Sequence, residues 1–253
     1  MIGSGRTTSD CIGAVPDWAA GSVAALRDRL SSTEEVFPCP FAVSANRQRT
    51  LRFGFVEDLE DRRTWAPLVD TLGRYLDMAR QLGKETAFVV FFRPDGVSRM
   101  LDEYNERFWA VLQYLHDHDP SPWPVEIPGD PDTPLWEFSF SGSPTFVVAA
   151  TPAHELRHSR WSPGLVLTFQ PRWVFEGLEA STPRGRTARQ VIQKRLRRFD
   201  DVDPSPLLSA YGDVEGREWR QYLLPDAENS RWRECPFHAN TQSTTDDPER
   251  TRP

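Results

Sequence analysis

The segment TAFVVFF (residues 86–92) is a short run of apolar, β-branched and aromatic side chains behind a single threonine. A strand that is apolar on both faces is typical of the centre of a sheet whose two sides are covered. The preceding residues, Thr64–Leu82, place leucines at helical spacing, and Gly83 stands where a helix would end. The sequence therefore predicts a helix that leads into a buried central strand.

Working outward from this strand, the same periodicities predict the remaining elements. Further helices are expected at 17–30, 97–116 and 184–199, with a short one at 215–223, and further strands at 50–56, 136–140, 145–149 and 165–169. Residues 117–134 hold six prolines and are expected to form a braced loop. We predict an α+β (mixed α/β) fold, with a central mostly antiparallel or mixed sheet flanked by helices. It forms a single domain over residues 16–238, between disordered segments at 1–15 and 239–253.

Composition narrows the class of protein. A net charge of −7 over 253 residues argues against a protein that mainly binds nucleic acid. No apolar run is long enough to span a bilayer, and the N-terminal residues lack the apolar stretch of a signal peptide. Three cysteines, at 11, 39 and 235, suit a reducing compartment better than a disulfide framework. We expect a cytoplasmic protein that does not bind membranes, and whether it forms a homodimer stays open.

A histidine among arginines is the first candidate site. His154 lies between the predicted strands 145–149 and 165–169, and Arg157, Arg160 and Arg172 are near it in sequence. One imidazole beside several guanidinium groups would suit an iron-bound macrocycle that carries carboxylates. The alternative is a loop with ordinary surface arginines, and composition alone favours that alternative.

Two cysteines share a short pattern. Cys39 and Cys235 each precede Pro-Phe, and a proline after a cysteine is found among cysteines that ligate haem. The pattern is weak, and a buried structural cysteine is the more common role. The repetition suggests that the two segments meet in space.

Taken together, these segments resemble the YqcI/YcgG family over residues 34–237. The resemblance is carried in order by FPCPFA (37–42), TLRFGF (50–55), FVVFF (88–92), LQYLHDHD (112–119), WPVEIPGDPDTPLWEFSFSG (123–142), TPAHELRHSRW (151–161), LTFQPRWVFE (167–176), YGDVEGREWRQYLL (211–224) and CPF (235–237). It implies a haem b protein that uses O₂ and an external electron donor, namely a separate reductase. The implied reaction is hydroxylation of a nitrogen on a small-molecule guanidine substrate, arginine or a derivative of it, in natural-product biosynthesis.

The resemblance also implies roles for particular residues. His154 is the expected iron ligand, with Cys39 as the second choice. Arg157, Arg160 and Arg172 are expected to hold the haem propionates or to close the site.

The substrate needs a different set of side chains. A guanidinium cation pairs naturally with a carboxylate, and Glu137, between aromatic neighbours, is the first choice. An outward-facing strand position is an equal alternative for Glu137. Trp109, Trp136 and Phe138 are expected to wall the site, although a core position suits each of them as well.

Two other functions remain open at this stage. One is N-oxygenation of an amine of the 2-aminoimidazole type. The other is a haem-binding or haem-sensing protein without turnover. A scaffold that binds no haem is a further alternative, in which the arginines pair with the abundant acidic residues.

Overall fold

A computed structural model describes residues 8–179, 181–208, 216–227, 232 and 234–239. Its centre is a five-stranded sheet in the order β1-β2-β5-β4-β3. The strands are β1 Leu51–Val56, β2 Ala87–Phe92, β3 Ser139–Phe140, β4 Ser143–Ala150 and β5 Val166–Pro171. β1 and β2 pair in parallel, and the other three pairings are antiparallel. The predicted mixed sheet in a single α+β domain is confirmed.

Five α-helices surround the sheet in the described part of the chain. They are α1 Ala19–Ser31, α2 Pro40–Gln48, α3 Ala66–Leu82, α4 Leu101–Asp117 and α5 Pro183–Phe199. Short 3₁₀ turns occur at Thr8–Asp10, Arg62–Trp65, His158–Arg160, Arg172–Phe175 and Glu218–Gln221. Three of these turns carry side chains of the candidate site described below.

The central strand β2 is buried along its whole length, as its sequence predicts. Because side chains alternate across a strand, β2 contributes to two hydrophobic clusters. Phe88, Val90 and Phe92 belong to the larger cluster, and Val89 and Phe91 belong to the smaller one. The sheet therefore separates two cores, and both of its faces are covered.

Several predicted bounds differ from the structure. Helix α2 was not predicted, and Pro40 occupies its first turn, where no backbone N–H is needed. The strand predicted at 136–140 is reduced to Ser139–Phe140. Leu135, just before it, has a φ of +69°, a backbone turn that is incompatible with a continuous strand.

Part of the segment 1–15, which the sequence predicts to be disordered, is ordered and packs against the fold. Asp10 forms an ion pair with Arg27, Cys11 bridges to Phe53 of β1, and Ile12 is buried in the larger cluster. Residues 1–7 and 240–253 lie outside the described residues. In the helices that the structure describes, none has both the length and the apolar content needed to cross a membrane.

Candidate active site

A cavity of about 730 Å³ opens beside the sheet, at the ends of several elements. Its volume lies within the range of small-molecule and cofactor sites. The wall combines apolar side chains with side chains from the loop before α2, the loop between β4 and β5, the 3₁₀ turns at Arg172–Phe175 and Glu218–Gln221, and helix α5. Segments far apart in the sequence thus meet at one concave surface.

Cys39 lies in the cavity wall at the N-terminus of α2. Its Sγ accepts a hydrogen bond from the backbone N–H of Ala42 at 3.4 Å. Burial raises the pKa of the Cys39 thiol, whereas the N–H groups of Ala42 and Phe41 and the charge of Arg160 act to lower it. N–H groups at a helix N-terminus and a nearby guanidinium both stabilise negative charge on a sulfur. Such surroundings would favour a thiolate ligand once a metal displaces the thiol proton.

Arg157 and Arg160, the two cations that follow His154 closely in the sequence, both line the same cavity. Arg157 is 3% exposed, and its guanidinium donates to the carbonyl oxygens of Pro225 at 2.6 Å and Asp203 at 3.0 Å. Arg160 donates to the carbonyl of Tyr222 at 3.1 Å. Burial lowers the pKa of Arg160 to about 10, so it stays charged at neutral pH. We call Cys39, Arg157 and Arg160 the cysteine end of the cavity.

His154 does not line this cavity. It is fully buried, its Nδ1 lies 2.9 Å from the hydroxyl of Thr151, and its Nε2 lies 2.9 Å from the carbonyl oxygen of Leu224. Because a carbonyl only accepts, Nε2 carries the proton and Nδ1 accepts from Thr151. Burial lowers the pKa of His154 to about 4. The imidazole is therefore neutral and holds the loop of Arg157 and Arg160 against residue 224.

Glu137 lies in the cavity wall with its carboxylate paired to Arg172. The Nε of Arg172 donates to Oε2 of Glu137 at 2.7 Å, and Glu137 is 4% exposed. Glu137 therefore does not occupy an outward-facing strand position. Arg172, predicted with Arg157 and Arg160 to hold the propionates or close the site, also lines the cavity and pairs with Glu137. The binding roles of both residues stay predictions.

Glu218 is a second carboxyl in this region, and the sequence analysis did not single it out. Its Oε1 accepts a hydrogen bond from the hydroxyl of Tyr222 at 2.9 Å, and the charge of Glu137 acts on the same carboxyl. Burial, followed by the charge of Glu137, raises the pKa of Glu218 well above its usual range. We call the cavity-lining residues Glu137, Glu218 and Arg172, together with Tyr222 that contacts Glu218, the carboxyl end.

The three aromatic residues predicted to wall the site differ in position. Trp136 lines the cavity, is 1% exposed, and its buried Nε1–H has no hydrogen-bond partner among the described residues. Trp109 and Phe138 do not line the cavity. Trp109 packs against Phe108 and donates its indole N–H to Asn105 within α4, so it has the core position that the sequence left open.

The two Cys-Pro segments do not meet. Cys235 packs against the larger hydrophobic cluster, whereas Phe37 and Ala42, on either side of Cys39, pack against the smaller cluster on the other face of the sheet. Burial raises the pKa of Cys235 to about 12, and Cys235 does not line the cavity. Identical short motifs thus occupy different environments.

Comparison with known proteins places the chain in a family. The sequence profile of the YqcI/YcgG family matches residues 26–238. The uncharacterized proteins YqcI and YcgG of Bacillus subtilis (strain 168) are 39% and 38% identical to the chain, each over 88% of it and 89% of the relative. A Streptomyces lavendulae protein, DcsA, provisionally named as an N(omega)-hydroxy-L-arginine synthase, is 35% identical over 81% of the chain and 79% of that protein.

No solved structure matches the chain. The profile covers most of the sequence, including every residue of both cavity ends. The chain therefore belongs to the YqcI/YcgG family.

Proposed function

We propose that this protein is a haem-dependent N-hydroxylase that acts on a guanidine, with L-arginine or a derivative as substrate. The observation that carries the proposal is that Cys39 and the buried Glu137 carboxylate line the same cavity. The name given to the relative DcsA supports the same reaction class.

The cysteine end fits a haem. Thiolates at helix N-termini with N–H groups directed at the sulfur are suited to iron ligation, and Cys39 has this setting. Arg157 and Arg160 supply charge for the two propionates. Because His154 uses both ring nitrogens in hydrogen bonds, we propose Cys39 rather than His154 as the iron ligand. His154 then positions the arginine loop.

The carboxyl end fits a guanidinium. A planar cation with a fork of N–H donors forms its strongest hydrogen bonds with carboxylates. Glu137 provides one in a largely apolar wall, where a bound cation would be shielded from water and the attraction would be stronger than in solution. Arg172, itself a guanidinium on Glu137, shows that the carboxylate accepts this chemical group.

Different parts of the cavity would have different roles in the reaction. Glu137 would orient the guanidine so that one nitrogen faces the bound haem, and the apolar wall would exclude water. The haem, when bound, would activate O₂ with electrons from a separate reductase and supply one oxygen atom to an N–H bond.

The first test is spectroscopic and chemical. The protein, purified after expression with a haem supply, is expected to show a Soret band and, with a reductase, NADPH and O₂, to convert L-arginine into a product heavier by one oxygen atom. Parallel reactions with 2-aminoimidazole separate the guanidine reaction from amine oxidation. Absence of the band after haem reconstitution contradicts the proposal. A band without product from either substrate indicates haem binding without turnover.

The second test assigns the ligand. Cys39→Ser is expected to shift or abolish the Soret band, because a serine hydroxyl is a poor iron ligand. Cys235→Ser, which alters the same Cys-Pro-Phe motif outside the cavity, is the matched control and is expected to leave the band unchanged. A band that survives Cys39→Ser but is lost in His154→Gln would reverse the assignment.

A further inference from the structure

The carboxyl end contains two carboxyl groups, although one carboxylate is enough to pair with the single guanidinium of Arg172. Glu137 and Glu218 both line the cavity, and each lies close enough for its charge to act on the other. Two neighbouring carboxyl groups do not both ionise readily, so the pair retains one proton. The pair with its proton carries one negative charge. Arg172 contacts Glu137 and already balances that charge. The unliganded arrangement is thus close to neutral.

We infer that Glu137 and Glu218 together bind the guanidinium cation of the substrate and that its binding expels the proton that the two carboxyl groups retain. This rests on the proposed function and names Glu218 as a second substrate-binding residue. The proton passes to solvent as the cation arrives, so one positive charge replaces another.

Charge balance in the cavity makes the exchange necessary. Besides the carboxyl end, the charged side chains on the wall are Glu126, Arg157, Arg160, Arg186, Arg189 and Asp200. Arginines outnumber carboxylates among them, so the wall does not favour an uncompensated extra cation. Among the described residues of the wall, ionisation of Glu218 supplies a second negative charge next to Glu137. Burial and the charge of Glu137 raise the pKa of Glu218, which keeps it protonated until a cation is present.

Hydrogen bonds hold Glu218 in place for this exchange. The backbone N–H of Phe138 donates to the Tyr222 hydroxyl at 3.1 Å, and that hydroxyl donates to Oε1 of Glu218. Burial keeps the pKa of Tyr222 well above its usual range, so the hydroxyl remains a donor. Its donation stabilises the ionised form of Glu218 once the proton leaves.

A second observation points to a ligand at the same place. Trp136, adjacent to Glu137, lines the cavity, and its buried indole N–H has no partner among the described residues. A buried donor without an acceptor is costly, typically by about 1–3 kcal/mol. A ligand that carries an acceptor, such as the carboxylate of a guanidino acid, would satisfy it. The site thus suits a cation with an anionic group elsewhere in the same molecule.

The test counts protons. Calorimetric titration of the haem-loaded protein with L-arginine, at one pH in buffers of different ionisation enthalpy, is expected to show release of about one proton per bound ligand, with affinity rising as much as about tenfold per pH unit below the pKa of Glu218. L-citrulline, which has the same shape but no charge, is expected to bind without release. Glu218→Gln is expected to abolish the release and to weaken L-arginine binding.

The controls separate this inference from the proposed function. Glu126→Gln removes an exposed carboxyl from the same wall and is expected to release the proton as the unaltered protein does. Binding of L-arginine without proton release, or unchanged release in Glu218→Gln, overturns the inference even if hydroxylated product forms. Proton release without product supports the binding site and contradicts the proposed reaction. Absence of any L-arginine binding overturns the inference. The Soret band then tests haem binding independently of substrate binding.

Discussion

The cysteine end and the carboxyl end of the cavity satisfy their polar groups by different means. At the cysteine end, the partners of Cys39, Arg157 and Arg160 are backbone N–H and carbonyl groups. At the carboxyl end, Glu137 and Glu218 depend on other ionisable side chains. Backbone groups cannot change protonation, whereas side chains can. Under the proposed function, the first end would hold the resident haem and the second the exchanging substrate.

The largest expected effect comes from Glu137→Gln, which alters the carboxyl end and leaves the cysteine end unchanged. The amide keeps the size of the side chain but loses the charge that binds a guanidinium. We expect kcat/KM for L-arginine to fall by about 100-fold, the loss that corresponds to a charge-assisted hydrogen bond. Initial rates measure this effect, and the haem spectrum should remain unchanged. A spectrum lost together with the rate would show that the two ends are not independent.

How far the sequence predicted these ends also differs between them. The residue types alone made three side chains candidates at the cysteine end, namely Arg157, Arg160 and Cys39. All three line the cavity. The iron-ligand role of His154 stays a prediction, and the structure adds that both of its ring nitrogens have hydrogen-bond partners, which the sequence does not reveal. Thr151 in the same loop meets one nitrogen, and the packing of Leu224 against the loop supplies the partner of the other.

Glu218 was missed for a related reason. The expected helix at 215–223 made a glutamate there unremarkable, and its significance comes from Glu137, 81 positions earlier in the chain. The segment from Glu218 to Leu224 lies beside β4, where the N–H of Ala149 donates to the carbonyl of Tyr222 at 2.8 Å. Residue periodicity predicts elements, but it does not predict which irregular segment will lie along a strand. The strand β2, in contrast, needed no partner to be recognised.

A smaller effect is expected on the pH dependence of the free energy of unfolding. His154 has a pKa lowered from 6.5 to about 4, so its contribution is present above pH 6.5 and is lost as the pH falls toward 4. Between pH 6.5 and pH 5 the loss should reach about 2 kcal/mol in the free energy of unfolding. Urea unfolding at pH 7, 6 and 5 measures it.

His154→Gln should be less stable at pH 7 but should lose less on acidification, because the titrating group is gone. His238→Gln, at an exposed position, is the control and should behave as the unaltered protein does. A steep acid loss that persists in His154→Gln would assign it elsewhere. The carboxyl end has the opposite sign: the raised pKa of Glu218 makes its contribution fall as the pH rises above the ordinary range of a glutamate.

The smallest effect tests the residue that touches both ends. The carbonyl of Tyr222 accepts from Arg160 at the cysteine end, and its hydroxyl contacts Glu218 at the carboxyl end. Tyr222→Phe keeps the first contact and removes the second, and it leaves the N–H of Phe138 without its acceptor. We expect a loss of about 1–2 kcal/mol in urea unfolding and weaker L-arginine binding, with an unchanged Soret band.

Tyr75→Phe provides the matched comparison for this substitution. Tyr75 is equally buried, and its hydroxyl meets Thr86 at 3.3 Å, away from the cavity. It should cost stability without altering L-arginine binding, so a binding loss confined to Tyr222→Phe would be specific to the carboxyl end. A Soret band shifted by Tyr222→Phe would instead show that the ends communicate through this side chain. Backbone contacts alone would then not isolate the cysteine end from the proton on Glu218.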